Sequence, residues 1–142
     1  MAKINLSRML LGGLLAGLVI NTGEFVLNGV ILAAEWEAVR TSLGLGAFDP
    51  AQMAASVVIT FLYGIVLIWI YAAIRPRFGP GPKTAVIAGL TLWVLSYVLF
   101  ISTLQAGGMV TTTLTITTII WGVFEAPLAA IAGAWVYREG EA

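Results

Sequence analysis

Two glutamates stand in the middle of apolar runs, Glu24 in Asn21-Thr22-Gly23-Glu24-Phe25-Val26-Leu27-Asn28 and Glu125 in Trp121-Gly122-Val123-Phe124-Glu125-Ala126-Pro127. A carboxyl group so placed can exchange a proton, bind a cation, or join neighbouring helices through hydrogen bonds. Cysteine and histidine are absent from the 142 residues. Their absence excludes disulfides, thiolate zinc sites, iron–sulfur clusters and bis-histidine haem, and leaves proton chemistry to carboxylates. No cofactor or metal is expected: Glu, Asn and Thr oxygens suit hard cations, but no ligand spacing is recognisable. Nor is there a Ser-His, Cys-His or Asp-dyad arrangement, so a catalytic role is less expected than a non-enzymatic one.

The elements that must position these groups follow from composition. Sixty per cent of the residues are hydrophobic and only 10% are charged, against about 25% charged in soluble domains. A soluble chain this short leaves too much of its surface in water to hide such a composition. The expectation is therefore an all-α membrane protein, a single transmembrane domain over residues 1–142 whose four helices form an up-down bundle. Net charge is zero, which argues against nucleic acid as a partner.

The first span is placed at about residues 9–34, long enough for a ~30 Å hydrocarbon core. Lys3 and Arg8 precede it, and its length and lack of a small-residue cleavage site predict a signal anchor. An amphipathic extension through Glu35 to Arg40 should continue this helix as far as Gly44 or Gly46. Asp49-Pro50-Ala51-Gln52 then reads as a helix start, with Asp49 as cap, Pro50 at the first position and Gln52 closing a capping box. The second span runs from about 50 to 74, because Pro76, Pro80 and Pro82 are expected to end it. The third covers about 83–104 and the fourth about 109–137.

Six of the seven basic residues fall on one side of these spans: Lys3, Arg8, Arg75, Arg77, Lys83 and Arg138. Arg40 lies on the other, so both termini are expected in the cytoplasm. Counting helical rise from the cytoplasmic charges puts polar groups of all four spans at one depth, roughly 18–24 Å in. They are Asn21 and Glu24; Thr60 and Tyr63; Ser96 and Tyr97; and Glu125. Gly13, Gly17, Asn21, Glu24 and Asn28 share one helix face, as do Thr111, Thr115, Thr118, Gly122, Glu125 and Ala129. Charged groups at this depth are costly and should face inward, so Glu24 and Glu125 are expected to meet and to hold one proton or none. Pro127 frees the carbonyl of Val123 beside them. The candidate proton- or substrate-binding residues are thus Glu24, Glu125, Asn21, Asn28, Tyr63, Ser96 and Tyr97.

Gly23-Glu24-Phe25-Val26-Leu27-Asn28-Gly29, the segment from Tyr71 to Lys83, and Trp121-Gly122-Val123-Phe124-Glu125 resemble small bacterial four-span inner-membrane proteins without an assigned activity. The resemblance covers nearly the whole chain and implies a bacterial inner membrane, but no reaction. Small multidrug-resistance exporters also carry a glutamate in their first span; their other motifs are missing here. The expected function is a transporter or ion pathway for protons or small cations. The alternative is an accessory or assembly subunit of a larger membrane complex. Expected partners are membrane lipids and either further copies of the chain or other membrane subunits.

Overall fold

The computed structural model describes residues 4–138. Lys3 and both ends of the expected domain lie outside them. Among the described residues the chain is all α, 85% helical with no strands. Four helical stretches are long and apolar enough to cross a membrane: Leu6–Ile31, Pro50–Phe78, Pro82–Ala106 and Thr112–Val136.

The first stretch comprises α1 (Leu6–Val26) and a wide π-helical segment, Leu27–Ile31. Asn5 caps α1, its side chain accepting from the Arg8 backbone N–H at 3.1 Å. The expected continuous extension is interrupted. Leu32 has φ −103° and ψ 10°, outside the helical range, and a separate helix α2 (Ala33–Ser42) follows. The widened turn has used up the regular hydrogen-bond register, so the chain restarts rather than continues.

Helix α3 (Pro50–Phe78) begins with a complete capping box: Asp49 accepts from the Gln52 N–H at 2.8 Å, and the Gln52 side chain accepts from the Asp49 N–H at 3.4 Å. Its end corrects the expected boundary at residue 74, since the helix runs through Pro76 and stops at Gly79. Proline there removes only one donor, in the last turn, and the Gly79 N–H closes that turn onto the Arg75 carbonyl at 2.8 Å. Gly79, with φ +82°, then adopts a backbone that other residues rarely take.

The third stretch is α4 (Pro82–Trp93), a second π segment (Val94–Phe100) and α5 (Ile101–Ala106). The fourth is α6 (Thr112–Val136), which starts three residues later than expected because Thr111 caps it, accepting from the Leu114 N–H at 3.1 Å.

Lipid tails are as apolar as leucine, so close backbone approach rather than the hydrophobic effect must hold these helices together. Glycines provide it. A Cβ on Gly64 of α3 would stand 2.3 Å from the Gly17 nitrogen and 2.4 Å from the Gly13 oxygen of α1. Gly12 and Gly133 bring α1 against α6 in the same way, and Gly89 of α4 rests on the backbone of Pro127 in α6. Helix α1 thus packs on α3 and α6, and α4 packs on α6 and α3.

Two apolar clusters result. One gathers Ala16, Ile20, Leu67, Ile68, Tyr71, Ala88, Leu92 and Ala129 with their neighbours; the other joins Leu27, Leu32, Val39, Ile101 and Leu114. Helix α3 supplies buried residues only to the first cluster, and its residues 51–59 are all exposed. In α1, α6 and the third stretch, the residues between the two clusters include Glu24, Glu125 and Tyr97.

Candidate functional site

Glu125 is 6% exposed and sits on the face of α6 that also buries Thr115, Gly122 and Ala129. Both of its carboxyl oxygens are engaged. Tyr97, 7% exposed and placed by the second π segment, donates its hydroxyl to Oε2 at 2.5 Å. Trp121, one turn earlier on the same helix face, donates its indole N–H to Oε1 at 3.0 Å.

Two glycines make room for this clasp. A Cβ on Gly23 would fall 1.7 Å from Glu125 Oε1, and one on Gly122 would fall 2.2 Å from the Tyr97 ring.

Glu125 Oε1 packs against Gly23, the residue beside Glu24, so the two carboxyls are neighbours where α1 meets α6. Asn28, one turn on, donates its side-chain N–H to Glu24 Oε2. The Asn28 carbonyl in turn accepts from the Trp36 indole at 2.7 Å. Eight residues of straight helix would separate Asn28 and Trp36 by ~12 Å of rise. The wide turn at Leu27–Ile31 and the break at Leu32 between them let the two side chains meet. Hydrogen bonds therefore join Trp36 to Asn28 and Asn28 to Glu24, while Tyr97 and Trp121 hold the neighbouring Glu125. Two neighbouring carboxyls inside a low-dielectric bundle repel each other when both are charged, and one shared proton relieves that repulsion.

The two glutamates differ in what lies on their other side. Glu24 lines a cavity of about 940 Å³ that also touches Asn21, Asn28, Trp36, Phe48 and Thr60. Helix α2, the 43–49 connection and the first half of α3 frame it. The space exists because residues 51–59 of α3 contribute nothing to the second apolar cluster. Glu125 does not line the cavity.

The remaining candidates separate by position. Asn21 donates to the Gly17 carbonyl of its own helix at 3.0 Å and, at 3.4 Å, to the Val57 carbonyl of α3, so it ties the two cavity walls together. Thr60 lines the cavity. Tyr63 is 38% exposed and does not line the cavity. Ser96 is half-buried in the second π segment and is not joined to them. Trp93 and Trp121 both turn inward, Trp93 donating to the Ile119 carbonyl at 2.9 Å. The Thr118 hydroxyl oxygen is buried without a hydrogen-bond partner among the described residues.

Trp36 and Gly23 are the two site residues that sequence reasoning passed over. Trp36 continues the four-residue steps from Asn28 through Leu32, which is the signal that marks it. Gly23 belongs to a second face of α1, with Gly12, Ala16 and Ile20, and the adjacent pairs Gly12-Gly13 and Ala16-Gly17 show that α1 has two close neighbours.

Among the described residues no group of three or more His, Cys, Asp or Glu side chains comes together as a metal site. Comparison with protein-family models, curated proteins and solved structures gives no match.

Proposed function

We propose that this chain is a multi-pass protein of a bacterial inner membrane that conducts protons or small cations through the Glu24–Glu125 pair. In this reading the four stretches run up and down the bilayer with both termini cytoplasmic. The six-to-one distribution of basic residues supports that orientation. The observation that carries the functional reading is the position of Glu24: it lines a cavity and lies beside Gly23, against which the buried Glu125 packs. Intramembrane ionisable groups that border a cavity mark ion and proton pathways. A proton taken from the cavity by Glu24 passes to the neighbouring Glu125, whose Oε2 accepts from Tyr97. The first apolar cluster closes the bundle on the far side of the pair. Release there requires its helices to part.

Purified protein in proteoliposomes under an imposed pH gradient and membrane potential tests this. Wild type is expected to dissipate the gradient, while Glu24→Gln and Glu125→Gln each lower the rate at least tenfold. Equal rates in wild type, variants and empty vesicles, with protons and with monovalent cations, would end the proposal.

A second reading, an accessory subunit of a larger complex or an oligomer of this chain, draws on a different observation. Residues 51–59 of α3 are all exposed among the described residues, and the doubly bonded Glu125 suits interhelical glue. Recovery in mild detergent of single chains, or of homo-oligomers without another subunit, counts against the complex.

A further inference from the structure

Resting on the reading of Glu24 as the entry carboxyl, we infer that the cavity takes an amphipathic organic cation, with its ammonium group against Glu24 and its apolar part among Phe25, Trp36 and Phe48. Size is the first argument. About 940 Å³ lies near the top of the ~300–1,000 Å³ range of small-molecule pockets, and a proton or bare metal ion needs none of that room. Lining chemistry is the second: around one deep carboxyl stand three aromatic rings together with Leu45, Met53 and Val57. Aromatic faces attract cations through the ring quadrupole; the Phe48 ring already carries the Arg40 guanidinium at 3.9 Å, which leaves Phe25 and Trp36 for an added ammonium group.

Charge is the third argument. The acidic and basic side chains around the cavity are Glu24, Glu37 and Arg40, two carboxyl groups against one guanidinium. Arg40 is already committed, since its Nε donates to the Gly46 carbonyl at 2.6 Å and its guanidinium lies 3.9 Å over the Phe48 ring. It fastens the 43–49 connection to α2 and so shapes one wall. An anionic solute would therefore meet two carboxyl groups, with the one guanidinium held at the Phe48 side of the cavity.

The test is calorimetric titration of the purified protein with a benzyl-dimethyl-hexylammonium salt and with its neutral carbon isostere. The cation is expected to bind once per chain and at least tenfold more tightly than the isostere. Glu24→Gln removes that preference, whereas Glu35→Gln, a carboxylate outside the cavity that accepts from Thr111, leaves affinity within threefold. If Glu24→Gln does not fold, the native chain answers the same question through labelling of Glu24 by a hydrophobic carbodiimide, which the cation slows and the isostere does not. Equal binding of the two compounds marks the cavity as a lipid-tail or neutral-solute site and overturns the inference. So does an unprotected Glu24. Proton flux without cation preference defeats this inference alone; cation preference without proton flux defeats only the transport reading.

Discussion

Gly64→Ala is expected to lower the stability of the folded bundle by ~3 kcal/mol, the upper part of the range for overpacking a tight interior. That is on the order of a hundredfold in the folding equilibrium. The added methyl would stand 2.3 Å from the Gly17 nitrogen and 2.4 Å from the Gly13 oxygen, and both obstacles are backbone. No rotamer change relieves such a clash; α1 and α3 must separate. Separation also pulls Asn21 away from the Val57 carbonyl and alters the cavity they frame together. Unfolding in mixed micelles of rising SDS fraction measures the loss. Gly46→Ala is the control, because a Cβ there meets nothing within 4 Å, and it should cost less than ~0.5 kcal/mol. Equal stability of the two variants would show that α1 and α3 do not cross at Gly64.

Gly122→Ala should cost ~2–3 kcal/mol, through a different route. Its methyl would meet the Tyr97 ring at 2.2–2.8 Å, so the obstacle is a side chain that can move. Moving it withdraws the Tyr97 hydroxyl from Glu125. A buried carboxyl oxygen left without its donor then adds ~1–3 kcal/mol of the kind seen for unsatisfied polar groups. Because the clash is with a side chain, a second substitution can remove it. Gly122→Ala combined with Tyr97→Leu should be more stable than the sum of the two single losses, by about 1 kcal/mol or more of coupling. Gly64→Ala has no comparable partner. Additive losses at Gly122 and Tyr97 would place the two residues out of contact.

The sequence carried the gross architecture because the bilayer imposes it. Four long apolar runs were visible, and the Asp49-Pro50-x-Gln52 start became the capping box it spelled. Glu24 and Glu125 stood out because charge is so expensive at that depth.

Other features left weaker traces. In a helix that is apolar all round, periodicity does not say which face turns inward. Tyr63 therefore looked equivalent to Thr60, yet Thr60 lines the cavity and Tyr63 does not. The π segments at Leu27–Ile31 and Val94–Phe100 have no residue signature, though they place Asn28 and Tyr97. Pro76 looked like a terminator, but a proline in the last turn forfeits too little to stop a helix. Gly23 carries no chemistry of its own and matters only as the space that Glu125 fills. The cavity is least legible of all, because it arises where the first half of α3 fails to join a core, and no single residue encodes that absence.

That Glu24 and Glu125 work as one site is tested most directly by proton flux through proteoliposomes holding the double variant Glu24→Gln/Glu125→Gln. Groups that act as a unit lose their effect together, so the second substitution adds nothing once the first has been made. One-site action requires the double variant to conduct at the rate of the slower single variant. Losses that multiply, or a single variant that keeps the native rate, would contradict it.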